Sequence, residues 1–131
     1  MADYRDHYQE IQSAGASVVT VSVDAPEKSE ALRLDLSLPF PILCDTERRV
    51  VKDWDIYNPA EKNGIAKPAV FIIDPSRVVR YASVDSVVMR VTAAEIIRVL
   101  QNAAEGQPVR RKAHIPLFAN WKSAIRNLIR R

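Results

Sequence analysis

The 131 residues contain one cysteine, Cys44, so no disulfide can close within the chain; this fits a reducing compartment and makes the cytoplasm the expected location. Glycine is scarce too, occurring only at 15, 64 and 106, which leaves no glycine-rich loop to cradle a phosphate and excludes nucleotide binding of that kind. The two histidines, His7 and His114, stand far outside any metal-ligand spacing, and no metal site is assigned. No apolar run approaches the roughly 18 residues of a membrane span, and the N-terminus is charged from Asp3 onward, unlike a signal peptide.

What is present is an ordinary globular composition, 47% hydrophobic and 27% charged, enough for one domain with one core. The net charge of +3 conceals a division of the chain. Residues 1–105 carry 12 basic groups against 16 acidic ones, whereas residues 106–131 carry Arg110, Arg111, Lys112, Lys122, Arg126, Arg130 and Arg131 with no acid. The expected organisation is a body over 1–105 and a basic tail over 106–131. Leu117, Trp121, Ile125 and Leu128 recur at helical spacing in that tail, so an amphipathic helix is expected from about 117, with Lys122, Arg126 and Arg130 on its other side. Such a helix suits docking on the body or on a second subunit, an anionic membrane surface, or nucleic acid.

Periodicity predicts a helix over 3–14 (Tyr4, Tyr8 and Ile11 on one face), stopped by Gly15, and then a strand over 16–23, ASVVTVSV. A helix capped by Asp24 should follow and end near Leu36, then a short edge strand over 38–44, and a helix capped by Asp45 or Thr46 that carries Val50, Val51 and Trp54. Residues 57–66 read as a loop. The runs 69–73 and 78–82, separated by Asp74, Pro75 and Ser76, read as a hairpin, and Thr92 with Glu95 opens a last helix that ends before Gly106. This order predicts an α/β sheet with helices on both faces.

Three segments, GASVVTVSVDAPEKSEAL (15–32), LPFPILCDTERRVVKDWDIYN (38–58) and GIAKPAVFIIDPSRVVRYASV (64–84), resemble in order and spacing the peroxiredoxin family, also called the alkyl hydroperoxide reductase and thiol-specific antioxidant family. The resemblance spans about residues 2–101. It implies a thioredoxin-like fold, thiol-dependent reduction of peroxides, and no metal or organic cofactor. It also implies a cis bond between Lys67 and Pro68, because proline is the residue at which a cis bond costs about 1 kcal/mol or less.

The family's peroxide-attacking cysteine stands in a Pro, Thr or Ser, Cys motif at the start of a helix whose later part residues 3–14 resemble. The resemblance therefore implies that this strand, active-site loop and cysteine lie before Met1 or do not exist, and that the strands at 16–23 and 69–73 lack the strand between them. Three ways of filling that gap are open: the two strands pair directly, a second copy or partner chain completes the sheet, or the true start lies upstream. Cys44 is the remaining candidate thiol, read first as a small apolar group and second as a reactive one, with Asp45 and Glu47 opposing a thiolate and Arg48 and Arg49 favouring it. Arg90 matches the place of a thiol-activating arginine in the family; without a thiolate it is a solvated arginine near a helix start. The expected function is a peroxiredoxin-like chain inactive by itself as a peroxidase; the alternative is a non-catalytic binding module acting through the basic tail.

Overall fold

The computed structural model describes residues 1–61, 64–84 and 90–104. The basic tail, with Arg110, Arg111, Lys112, Lys122, Arg126, Arg130 and Arg131, lies outside them. The described residues divide into two compact units, the first holding Met1–Thr46 and residues 91–104, the second lying within Glu47–Arg90.

In the first unit the expected opening helix is two, α1 (Ala2–Asp6) and α2 (Tyr8–Ser13), broken at His7. The break has a local cause. The Asp3 carbonyl takes the His7 backbone N–H at 3.2 Å and also lies 2.9 Å from His7 Nδ1, so the imidazole competes for the oxygen that anchors the turn. Gly15, at φ +83°, ends α2 as expected.

Strand β1 (Thr20–Ser22) is shorter than the β-branched run that announced it, and α3 (Pro26–Asp35) carries the chain over to β2 (Ile42–Cys44), which pairs with β1 in parallel. The α3 cap is Ala25, not Asp24, because Pro26 pre-sets the helical φ of the first turn and the Asp24 carboxylate is engaged by Ser22 and Lys28. Asp45, expected as a cap, instead continues the ladder, its N–H donating to the Ser22 carbonyl at 2.7 Å. Helix α5 (Ala93–Ala104) closes this unit and begins as expected, with the Thr92 hydroxyl accepting from the Glu95 N–H at 3.3 Å.

The core of this unit joins Ile11 of α2 to Ala93 and Ile97 of α5, with Tyr4, Ala16, Val18 and Leu100 packed around them. Leu38 and Phe40 are also buried, and the Phe40 ring meets Tyr8 at 5.7 Å. Burying each such side chain contributes roughly 1.5–3 kcal/mol, which is why so short a parallel ladder persists. Among the described residues β1 has β2 as its one ladder partner.

The second unit contains α4 (Arg49–Asp53), whose N-cap is Arg48 in the left-handed region, in place of the expected Asp45 or Thr46. Residues 57–66, expected as an unpaired loop, hold the two-residue strands β3 (Tyr57–Asn58) and β4 (Ile65–Ala66), which pair antiparallel. The predicted hairpin is present as β5 (Ala69–Ile73) and β6 (Val79–Val84), with Phe71 opposite Ala82 and Ile72 opposite Tyr81. Its turn has no glycine, and Arg77 supplies the left-handed residue at φ 65°. Trp54 packs edge-on against Phe71 at 4.4 Å, and Val51, Val79 and Tyr81 are buried.

Pro68 corrects one expectation. The Lys67–Pro68 bond is trans, since no cis peptide occurs among the described residues. The Lys67 N–H donates to the Ile56 carbonyl at 2.7 Å, which keeps the backbone extended from β4 through Pro68 into β5. The trans isomer is the one an X–Pro bond prefers in itself, by about 0.5–1 kcal/mol.

Candidate functional site

In a parallel sheet the crossover gathers functional groups at the carboxyl ends of the strands, where ligand sites of α/β folds form. Here β1 and β2 end together, with Ser22 and Cys44 as register partners and the buried Asp45 one residue beyond. The Ser22 hydroxyl donates to Asp24 Oδ2 at 3.0 Å and accepts from the Asp24 N–H at 3.1 Å. Lys28, in the first turns of α3, places Nζ 2.6 Å from Asp24 Oδ1. The strand ends therefore carry a hydroxyl, a thiol and an ion pair whose two charges engage each other.

Cys44 is half-buried, and its thiol donates to the carbonyl of Ile42, two residues back, at 3.9 Å. It ends a strand; residues 45–48 separate it from α4, so the first-turn N–H groups that stabilise a thiolate at a helix start are not presented to it from its own chain direction. The two arginines that follow it in sequence are engaged elsewhere: Arg48 Nε donates to the Gly64 carbonyl at 3.0 Å, and Arg49 Nε lies 2.8 Å from Glu47 Oε2. Arg90 is exposed and falls in the second unit, whereas Cys44 falls in the first, so neither unit by itself holds both residues. Among the described residues no group of three His, Cys, Asp or Glu is placed to hold a metal ion, and no helix is long and apolar enough to cross a membrane.

Two contacts escaped the sequence reading. Asp3 Oδ2 accepts the Ala93 N–H at 2.7 Å, and the Tyr4 hydroxyl donates to the Val91 carbonyl at 3.1 Å, so α1 holds the start of α5 from the far end of the described chain. Neither contact has a local signal, because each joins residues more than eighty positions apart.

Comparison with known proteins adds the following. The chain matches the AhpC/TSA family over residues 1–82. It is 28% identical over 104 residues to a peroxiredoxin of Thermoplasma volcanium, an alignment covering 75% of this chain and 50% of that protein. Among solved structures, AhpC of Mycobacterium tuberculosis is similar with a TM-score of 0.71 at 26% identity, covering 92% of this chain and 64% of that one. Reduced Prx3 of Vibrio vulnificus, solved in complex with hydrogen peroxide, is similar with a TM-score of 0.72 at 16% identity, covering 79% and 67%. The shared architecture is the thioredoxin-like α/β fold of the peroxiredoxins. The chain spans about half the length of the relatives it matches in sequence.

Proposed function

The chain belongs to the AhpC/TSA family, and on that premise we propose that it is a redoxin chain of the thiol-dependent peroxidase kind whose 131 residues do not turn over peroxide by themselves. The parent reaction has simple requirements. A thiolate attacks one peroxide oxygen, the S–O bond forms as the O–O bond breaks, the departing oxygen takes a proton, and a second thiol then reduces the sulfenic acid. Everything depends on an ionised sulfur beside positive charge.

One observation carries the reading: the chain's single thiol, Cys44, closes a strand and bonds to the carbonyl of Ile42. We therefore assign Cys44 a packing role, and Arg90 no catalytic role in this chain. Residues 1–105 are the redoxin body and 106–131 a separate basic segment. A chain with one thiol and no disulfide is suited to the cytoplasm.

The test is peroxide consumption by the purified 131-residue chain, with hydrogen peroxide or an organic hydroperoxide and excess dithiothreitol. The expected rate is that of reductant alone. Turnover well above it, abolished by alkylating Cys44, overturns the proposal.

The segregation of charge favours a second reading, a binding module that acts through residues 106–131. Seven basic groups without an acid attract phosphates, and such binding weakens as salt rises. Binding to anionic vesicles or duplex DNA across a salt series tests it, with a chain ending at residue 105 as the control. Binding that is absent at low salt, or that residues 1–105 retain, removes this reading.

A further inference from the structure

We infer that His7 and Asp3 form a proton-operated clasp on α5: charging the imidazole tightens the hold of the Asp3 carboxylate on the first N–H of that helix, and neutralising it loosens the hold. Three contacts carry the inference. The Nδ1–H of His7 donates to the Asp3 carbonyl at 2.9 Å, the same nitrogen stands 3.4 Å from Asp3 Oδ1, and Asp3 Oδ2 accepts the Ala93 N–H at 2.7 Å. One carboxylate thus stands between an imidazole and the start of a helix, with one oxygen toward each. An imidazolium attracts Oδ1 by its charge, so with His7 protonated both oxygens are engaged and the carboxylate is fixed in the orientation that caps α5. A neutral His7 leaves Oδ2 alone to set that orientation, and the tautomer with its proton on Nε2 turns a lone pair toward the Asp3 carbonyl.

The surroundings of His7 set the direction. The bond to the Asp3 carbonyl raises the proton affinity of the imidazole, and Glu10 of α2 and Asp3 and Asp6 of α1 act the same way. Asp6 is itself paired with Arg5 at 2.8 Å. Helix α5 packs on α2 through Ala93 and Ile97 and carries Glu95 in its first turn, and among the described residues it adds no charged group to those acting on His7. The clasp is therefore complete below the unfolded histidine value of about 6.5 and loosens as pH rises through the higher folded one. Both side chains are partly exposed, so water and salt limit the size of the effect.

Amide exchange of Ala93 in the full chain, followed by NMR and expressed as a protection factor, tests the clasp, since dividing by the intrinsic rate removes the ordinary pH dependence of exchange. Protection should fall roughly two- to fivefold as pH rises through the His7 midpoint, the scale of a partly exposed ion pair. Asp3→Asn keeps an acceptor for Ala93 and loses the charge, so it should remove the step. His7→Gln should remove it too, and this variant is the control for the second histidine of the chain, His114. Level protection of Ala93 across the His7 midpoint in the wild type overturns the proposal, and that measurement needs no variant to fold. A step that persists in either variant, or a step of the same size at Ile97 one turn further along α5, which marks a change in overall stability, overturns it as well. None of these readouts depends on peroxidase activity, so the outcome is separate from that of the functional reading.

Discussion

The carboxylate of Asp3 caps a helix that begins ninety positions later, accepting the N–H of Ala93 at 2.7 Å. Ala93 is fully buried, so without Asp3 this donor has no route to water. Losing a helix cap costs about 1 kcal/mol, within a range of roughly 0.5–2. Asp3→Ala should lower the urea midpoint accordingly, and Asp3→Asn, which keeps an acceptor, should recover most of the loss. Thr92→Ala should cost less, since its bond to the Glu95 N–H is longer, at 3.3 Å. An Asp3→Ala chain as stable as the wild type contradicts this account of α5.

Ser29 points to a gain. It is the buried residue of α3, only 3% exposed, and among the described residues its hydroxyl has no hydrogen-bond partner. Burying an unpaired hydroxyl costs about 1–3 kcal/mol, and alanine is the better helix former. Ser29→Ala should raise stability by about 1 kcal/mol, read as a higher urea midpoint at unchanged slope. A fall instead reveals that the hydroxyl has a partner.

Two glycines with left-handed backbones separate strain from collision. Gly15 has φ +83° and open space where a Cβ would stand; Gly64 has φ +97°, and its added Cβ would meet Tyr57 Cε2 at 2.6 Å and Cζ at 2.7 Å. Left-handed backbone costs a residue with a Cβ roughly 1–2 kcal/mol. Gly15→Ala should show that cost alone, and Gly64→Ala a larger one, because the Tyr57 ring that the new Cβ would meet has to move aside. Equal losses in thermal melts reject a tight contact between Gly64 and Tyr57.

Elements whose cause is local were legible in the sequence. The β5–β6 hairpin follows from one apolar run, a turn and a second extended run, and α5 from Thr92 and Glu95 ahead of Ile96 and Ile97. Cys44 was likewise readable as the end of a strand. What could not be read depends on partners distant in sequence or on competition for one oxygen. The Asp3–Ala93 bond leaves no local trace, and the break at His7 arises when an imidazole reaches the carbonyl its own turn uses. Asp45 resembles a cap by composition and position, yet the Ser22 carbonyl draws its N–H into the ladder. Pro68 shows the same limit: a proline permits either isomer, and this one is trans.

Asp74 and His7 give stability opposite dependences on pH. The N–H of Val78, bonded to Asp74 Oδ1 at 2.9 Å, holds the Asp74 carboxyl below its ordinary value, and Arg80, 2.6 Å from Oδ2, lowers it further. The folded state then binds this proton less readily than the unfolded state does. Its contribution is present above the unfolded value of about 3.9 and lost as pH falls through the lower folded value. For His7 the bond to the Asp3 carbonyl raises the imidazole value, with Glu10, Asp3 and Asp6 adding to it. That contribution is complete below the unfolded value of about 6.5 and lost as pH rises through the higher folded one. Carbon-detected titration should find the Asp74 midpoint lower, and the His7 midpoint higher, in the folded chain than in the same chain in urea. Arg80→Gln should move the first midpoint upward and leave the second in place. A His7 midpoint that does not change on unfolding rejects the bond to Asp3 as its cause.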